Sequence, residues 1–227
     1  MPGPAPSFAN RRVVVTAGGT REPVDAVRYL GNRSSGRMGN AIALAAADRG
    51  AAVTLITTVD PPDDARVTVI RVDTADEMQA AVRRSVLGAD VLLMAAAVAD
   101  YRVADVAPRK VKKQASLTLA LVPTVDILGA LAGDPVRHGV LVVGFAAETD
   151  DVEANARRKL TQKQLDLVVL NDVSRPGIGM GSEDNEVRVF DSAGLVAHIS
   201  QRAKPLVAAA LLDIVADRLS AAARMLP

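Results

Sequence analysis

Six short apolar runs, alternating with segments of helical period, restrict this chain to one class of fold. The runs are Arg12 to Thr16, Ala51 to Thr57, Val67 to Val72, Val91 to Val98, Leu141 to Phe145 and Asp166 to Leu170. Helices are predicted over Arg37 to Arg49, from a Thr74 cap to Leu87, and over Val125 to Leu131, Asp151 to Lys163 and Ala203 to Leu219. Strands buried on both faces read as near-continuous apolar runs, the signature of a parallel sheet. The pattern predicts an α/β fold with a doubly wound, mostly parallel, Rossmann-like sheet. Glu186 to Asp191 and Leu195 to Ile199, over Ser192-Ala193-Gly194, predict a small β-hairpin addition. Leu117 to Val122 reads as one further strand. Thr20 to Arg33, Ala99 to Gln114 and Ser174 to Asp184 read as loops without period.

The 227 residues suffice for one sizeable core. Residues 1–10, rich in proline, read as a linker or the edge of a domain cut from a longer chain, and residues 11–227 as a single domain. A net charge of +1 supplies no bulk field for nucleic acid or an anionic membrane. Aromatic residues are 2% of the chain, too few for stacking platforms along a single strand. Cysteine is absent, which excludes disulfides, thiolate metal sites and a cysteine nucleophile, and is compatible with a reducing cytoplasm. The apolar run Leu206 to Ala216 is broken by Asp213 and is too short to span a bilayer.

In sheets of this class ligands sit beyond the carboxyl ends of the strands. Gly18-Gly19-Thr20, Ala95 to Tyr101, Phe145 to Thr149 and Asn171-Asp172 follow strands, and all are small or polar where a core would not require it. The richest stretch is Arg28 to Gly50, in which a polar turn enters an alanine-rich helix. Ser34 and Ser35 are expected to cap that helix, and Gly36 and Gly39 to let a ligand approach the backbone. A helix start of this kind is an anion site. Gly18, Gly19, Ser34, Ser35 and Gly36 are therefore candidate phosphate contacts.

Elimination narrows the chemistry. The two histidines, His138 and His198, have no Ser or Asp partner at triad-like spacing. There is no G-x-S-x-G elbow, zinc helix motif or G-x-G-x-x-G fingerprint. Gly31 to Gly36 begins a Walker A pattern, but Arg37 and Met38 replace its Lys and Ser/Thr. What remains is anion handling. Lys110, Lys112 and Lys113 lie in a loop leaving the sheet on its ligand side, where they are either a solvated face or a mobile flap closing over a polyphosphate. Lys159 and Lys163 share one helix face, as a solvated stripe or as ligand contacts. Asp100 can serve a ribose, a metal or an amide, or simply form a turn. Phe145 is core packing or a ligand wall, and Asn32 a turn residue or an exposed amide beside the anion turn. Such a site suits a reaction in which the substrates supply the chemistry: a carboxylate attacks a nucleotide α-phosphate, pyrophosphate leaves, and an amine attacks the acyl-nucleotide.

In order, the chain carries AGGTREPVDAVRYLGNRSSGRMG, MAAAVADYR, KVKK, VGFAAET and LNDVS. With these motifs it resembles bacterial phosphopantothenate–cysteine ligase over nearly all of residues 12–219. The resemblance implies a CTP-dependent ligation of 4′-phosphopantothenate to L-cysteine through an acyl-cytidylate, in coenzyme A synthesis, with CTP and magnesium (Mg2+) as cofactors. It assigns Asn32 to the acyl intermediate and Lys110 to the flap, the two catalytic candidates. Met94, Ala95, Ala96 and Asp100 match the nucleotide-binding stretch. Asp126, Ile127, Leu128, Gly129 and Phe145 are expected around the cytidine, and Lys159 and Lys163 to reach the nucleotide from their helix. No metal ligand is assigned. The resemblance also implies a cytoplasmic homodimer and an upstream flavin-dependent decarboxylase domain in the full-length chain. Leu30-Gly31 and Arg37 depart from the commoner isoleucine-serine and lysine of that pattern.

The apolar residues Val27, Tyr29 and Leu30 within DAVRYL, in a charged loop with no evident core to join, fit the homodimer expectation. Two other readings compete. A short-chain reductase would need Tyr-x-x-x-Lys, but Tyr101 is followed at that spacing by Asp105 and Tyr29 by Arg33. A non-catalytic nucleotide-sensing domain is separated from an enzyme by pyrophosphate release.

Overall fold

The computed structural model describes residues 7–148, 152–172 and 181–224. The central sheet is built from β1 (Arg12–Ala17), β4 (Ala52–Thr57), β5 (Val67–Arg71), β6 (Val91–Met94), β9 (Leu141–Glu148), β10 (Leu167–Asp172), β11 (Asp184–Asp191) and β12 (Gly194–Ala203). Two short ribbons stand apart: β2 (Arg21–Pro23) with β3 (Tyr29–Gly31), and β7 (Tyr101–Val103) with β8 (Leu121–Pro123). The helices are α1 (Arg37–Asp48), α2 (Ala75–Val86), α3 (Ile127–Ala132), α4 (Val152–Gln162) and α5 (Lys204–Arg224).

The sheet order is β12-β11-β10-β9-β6-β1-β4-β5. Pairing is parallel from β5 through to β10 and antiparallel for β10–β11 and β11–β12. The doubly wound, mostly parallel sheet is thus as expected, and the hairpin extends that same sheet. Period two decides the layers. Val13, Val15, Leu93, Val143 and Val169 face α1 and α5, where they meet Ile42, Ala46, Leu211 and Val215. Val14, Ile56, Leu92 and Val142 face α2 and α3, against Met78, Val82, Ile127 and Leu131. Ala156 and Leu160 of α4 pack on Val168 and Leu170. The outer strand β5 buries only Val67, which explains its weaker apolar character.

Local signals match the helix ends at α2 and α3. Thr74 and Glu77 form a reciprocal capping box, and Asp126 accepts the Gly129 N–H. At α1 the expectation fails. The cap is Gly36 in the left-handed region at φ 73°, with no side-chain cap bond; Ser34 Oγ only reaches back loosely to the Gly36 N–H at 3.5 Å. A left-handed glycine turns the chain into the helix in place of an extended serine, so no serine oxygen occupies the N–H groups of the first turn.

Other differences come from long-range pairing. Val91 to Val98 does not stay in the sheet beyond Met94. There the chain turns so that Ala97 N donates to Gly18 O (2.8 Å) and receives Thr20 N at its own carbonyl (3.3 Å). Ribbons β2–β3 and β7–β8 organise the two segments read as loops, and β8 is Leu121–Pro123 rather than Leu117 to Val122. The hairpin strands are longer than predicted. Phe8, read as linker, is 1% exposed in the α1–α5 cluster, and its N–H donates to Arg49 O at 2.9 Å. Much of Ser174 to Asp184, and Thr149, lies outside the described residues. Among the described residues no helix is long and apolar enough to cross a membrane.

Candidate functional site

A cleft of about 450 Å³ opens at the carboxyl ends of the parallel strands. That is the size of small-molecule sites, and it lies where the sheet order reverses, between β1 and β6. One wall is the α1 start, from Ser34 to Gly39, preceded by Asn32. The floor is Met94 to Asp100 with Phe145, Ala146 and Asn171. The opposite wall is Thr124 to Leu128 with Lys159 and Lys163.

Close packing holds the α1 wall in place. Gly39 sits on β1 so tightly that a Cβ there would lie 2.6 Å from Ala17 Cβ and 2.7 Å from Thr16 O. Buried threonines then set the floor: Thr16 Oγ1 accepts Ala96 N at 3.0 Å and Thr20 Oγ1 accepts Ala99 N at 2.8 Å. Asn32 Nδ2 donates to Ala97 O (3.3 Å) and Val98 O (3.1 Å). Its amide hydrogens are therefore aimed at main-chain carbonyls, and donation to an oxyanion requires the side chain to turn from them.

On the far wall Lys163 Nζ donates to Asp126 Oδ1 at 2.9 Å, and the same oxygen accepts Gly129 N at 3.0 Å. Burial pushes the Asp126 carboxyl up, but the Gly129 N–H and the Lys163 ammonium outweigh it, so its pKa lies below the ordinary value. At the other end Arg37 bonds Gly181 O (2.9 Å) and pairs with Glu183 (2.6 Å). Lys204 is 6% exposed and donates to Ser182 O. Burial, and then the Arg37 charge, lower its pKa, against the opposing pull of Glu183 and Asp184. Lysines 159, 163 and 204 with Arg37 outnumber the carboxylates of Asp100 and Asp126, so the lining suits an anion.

Of the residues singled out in the sequence, Asn32, Ser34, Ser35, Gly36, Met94, Ala95, Ala96, Asp100, Asp126, Ile127, Leu128, Phe145, Lys159 and Lys163 meet at this cleft. Gly18, Gly19, Gly129 and Lys110 are not in its lining. Gly18 and Gly19 shape the turn behind Asn32, where a Cβ on Gly19 would stand 2.7 Å from Asn32 O. Gly129 serves the α3 cap. Lys110 is exposed on the segment between β7 and β8. Asn185 and Lys204 were missed. β11 runs antiparallel to β10, so its first residues reach the ligand edge, and β12 returns parallel and delivers the start of α5 there. Asn171 was noted for its place after a strand and within LNDVS; among the described residues its buried Oδ1 has no partner. Both histidines are outside the cleft, and His198 Nε2 meets Glu186 at 3.0 Å on the hairpin. Among the described residues no group of three or more His, Cys, Asp or Glu could hold a metal.

Residues 8–219 match the family model described as the DNA/pantothenate metabolism flavoprotein C-terminal domain. The chain belongs to this family. A relative of this DNA/pantothenate metabolism family, the coenzyme A biosynthesis bifunctional protein CoaBC of Escherichia coli K12, is 46% identical over 220 residues, covering 95% of this chain and 54% of that protein. The chain thus spans about half the length of the curated relatives it matches. A crystal structure of the C-terminal domain of a CoaBC protein superposes with a TM-score of 0.76 at 35% identity, covering 93% of this chain and 97% of that one. The same fold occurs in a Cab2 mutant solved in complex with phosphopantothenate-cysteine, with a TM-score of 0.76 at 15% identity and coverage of 95% and 89%. The Rossmann-like architecture is therefore that of the family.

Proposed function

We propose that this chain joins 4′-phosphopantothenate to L-cysteine at the expense of CTP, as one step of coenzyme A synthesis. The observation that carries the reading is the cleft itself: the start of α1, without a side-chain cap, forms one wall and Lys159 and Lys163 stand on the other, and among the described residues no serine–histidine pair or other activated nucleophile lines it. A site of this kind positions substrates and neutralises charge. The pantothenate carboxylate attacks the α-phosphorus, pyrophosphate leaves, and an acyl-cytidylate remains. The cysteine amine then attacks the acyl carbon, CMP leaves, and the amine proton passes to solvent or a phosphate. Family membership supports the reading, as does the ligand of the Cab2 structure.

Asn32 stands beside the acyl carbon in this scheme, with Asp126, Ile127, Leu128 and Phe145 around the base. Lys159 and Lys163 reach the nucleotide, and Lys110 neutralises its phosphates from the segment between β7 and β8. Magnesium arrives with the nucleotide, since Mg2+ is commonly held by substrate phosphates and one or two carboxylates rather than by a protein cage. Asp100 is the carboxylate offered.

A pyrophosphate-release assay with phosphopantothenate, cysteine, magnesium and each of CTP, ATP, UTP and GTP tests this. Strong preference for CTP, dependent on phosphopantothenate, is expected. Cytosine is smaller than a purine, and a site that accepts its amino donor loses a bond with uracil. Equal rates with ATP overturn the base assignment, and no release with any nucleotide favours a nucleotide-sensing domain. The protein is further proposed to work as a cytoplasmic homodimer through Val27 and Tyr29, which are 62% and 58% exposed. Sedimentation at twice the 23.7 kDa chain mass is the expected result. The upstream decarboxylase belongs to the same proposal for the full-length protein.

A further inference from the structure

Asp25 sits in the turn between β2 and β3, and its side chain is fully buried. An aspartate in such a turn needs only to accept nearby N–H groups, and its Oδ1 does so from Val27 and Arg28, both at 2.9 Å. The other oxygen does something different. Oδ2 takes the Arg28 guanidinium through Nε (3.0 Å) and a terminal nitrogen, and it also accepts the N–H of Val111 at 3.1 Å, across 86 residues. The same Arg28 donates to Val111 O at 3.1 Å. Both main-chain groups of Val111 are therefore held by one acid–base pair. A second pin lies upstream, where Ala107 N donates to Val24 O at 3.1 Å. Lys110 lies between these two pins.

We propose that Asp25 is a positioning residue for Lys110, and that the Asp25–Arg28 pair clamps the base of the lysine loop so that Lys110 is presented to the cleft from a fixed backbone. This rests on the reading of Lys110 as the cation that neutralises the nucleotide phosphates. It narrows the expectation of a mobile flap, since the segment from Ala107 to Val111 is tied to the β2–β3 turn. It also links the exposed residues Val27 and Tyr29 to Lys110, since Val27 shares the turn of Asp25 and Arg28 and Tyr29 opens β3 directly after it. The Arg28 guanidinium holds the Asp25 carboxyl well below the usual range, so the clamp is ionised at neutral pH.

Asp25→Asn tests this, because it keeps the shape but sets an NH2 against donors on every side. Pyrophosphate release is measured with varied CTP for the parent, Lys110→Gln, Asp25→Asn and the double variant. Each single change is expected to lower kcat/KM for CTP by roughly 10- to 100-fold, and the double variant to match Lys110→Gln alone. The amide of Val111 should also exchange faster with solvent while the thermal midpoint shows a folded protein. Equal factors for Asp25→Asn in both backgrounds, or no effect in either, overturn the clamp. An unaffected Lys110→Gln instead overturns the reading of Lys110, and the clamp proposal with it. Should Asp25→Asn fail to fold, Arg28→Gln replaces it in the same cycle; that side chain is 45% exposed, and its loss spares the Asx turn. Unchanged exchange at Val111 in Arg28→Gln overturns the clamp.

Discussion

Lys163, just past α4, and Asp126, the cap of α3, meet at 2.9 Å across 37 residues on one wall of the cleft. The carboxylate does two jobs, since it also closes the first turn of α3 through Gly129 N. Asp126→Ala is expected to cost about 1 kcal/mol of stability through the lost cap. Lys163→Ala should cost under about 1 kcal/mol, because half-exposed pairs contribute little. Binding should show the reverse order, with Lys163→Ala weakening CTP more. Urea denaturation and calorimetric titration with CTP separate the two; equal loss of stability in both variants would contradict the division.

Asn32 is expected to act after activation. Asn32→Ala should release pyrophosphate about once per site, yet form amide about 10²-fold more slowly, the scale of one lost donor to an oxyanion. Rapid-quench analysis reads both steps. Loss of both together would move Asn32 to nucleotide binding, through its hold on the Ala97 and Val98 carbonyls.

Gly39 is where α1 touches β1. Gly39→Ala forces a methyl against the backbone at Thr16 and the methyl of Ala17, neither of which is a flexible side-chain end. A loss of about 1–3 kcal/mol is expected, typical of overpacking, with the α1 start displaced from the cleft. Chemical denaturation measures the first effect and weaker pyrophosphate binding the second. A variant as stable as the parent would contradict this packing.

Stability should fall in acid in a defined way. Asp25, Asp126, Asp134 and Asp191 all have folded pKa values below the ordinary 3.8. Each therefore stabilises the fold above its unfolded value, and that contribution is lost as pH falls through the folded value. The thermal midpoint should drop between about pH 5 and about pH 2, and Asp25→Asn should flatten that slope. An unchanged slope would show that Asp25 contributes no linkage.

Much of the fold was legible because its signals are local. Val13 to Val15 and Val91 to Val98 read as buried strands since both faces of a central strand are covered, although the second leaves the sheet after Met94. Thr74 announces the start of α2 within the sequence, and Glu77 completes its capping box in the structure. What the sequence by itself determined is the set of elements and the small, polar character of the segments after the strands, because period, capping and glycine act within a few residues. Only the tertiary structure decided what those segments meet. The direction of the hairpin brings Asn185 and Lys204 to the cleft, a left-handed Gly36 takes the cap from Ser34 and Ser35, and Asp25 reaches Val111. These depend on strand order and on contacts far apart in the chain, and no local periodicity encodes the free energy of a distant pair.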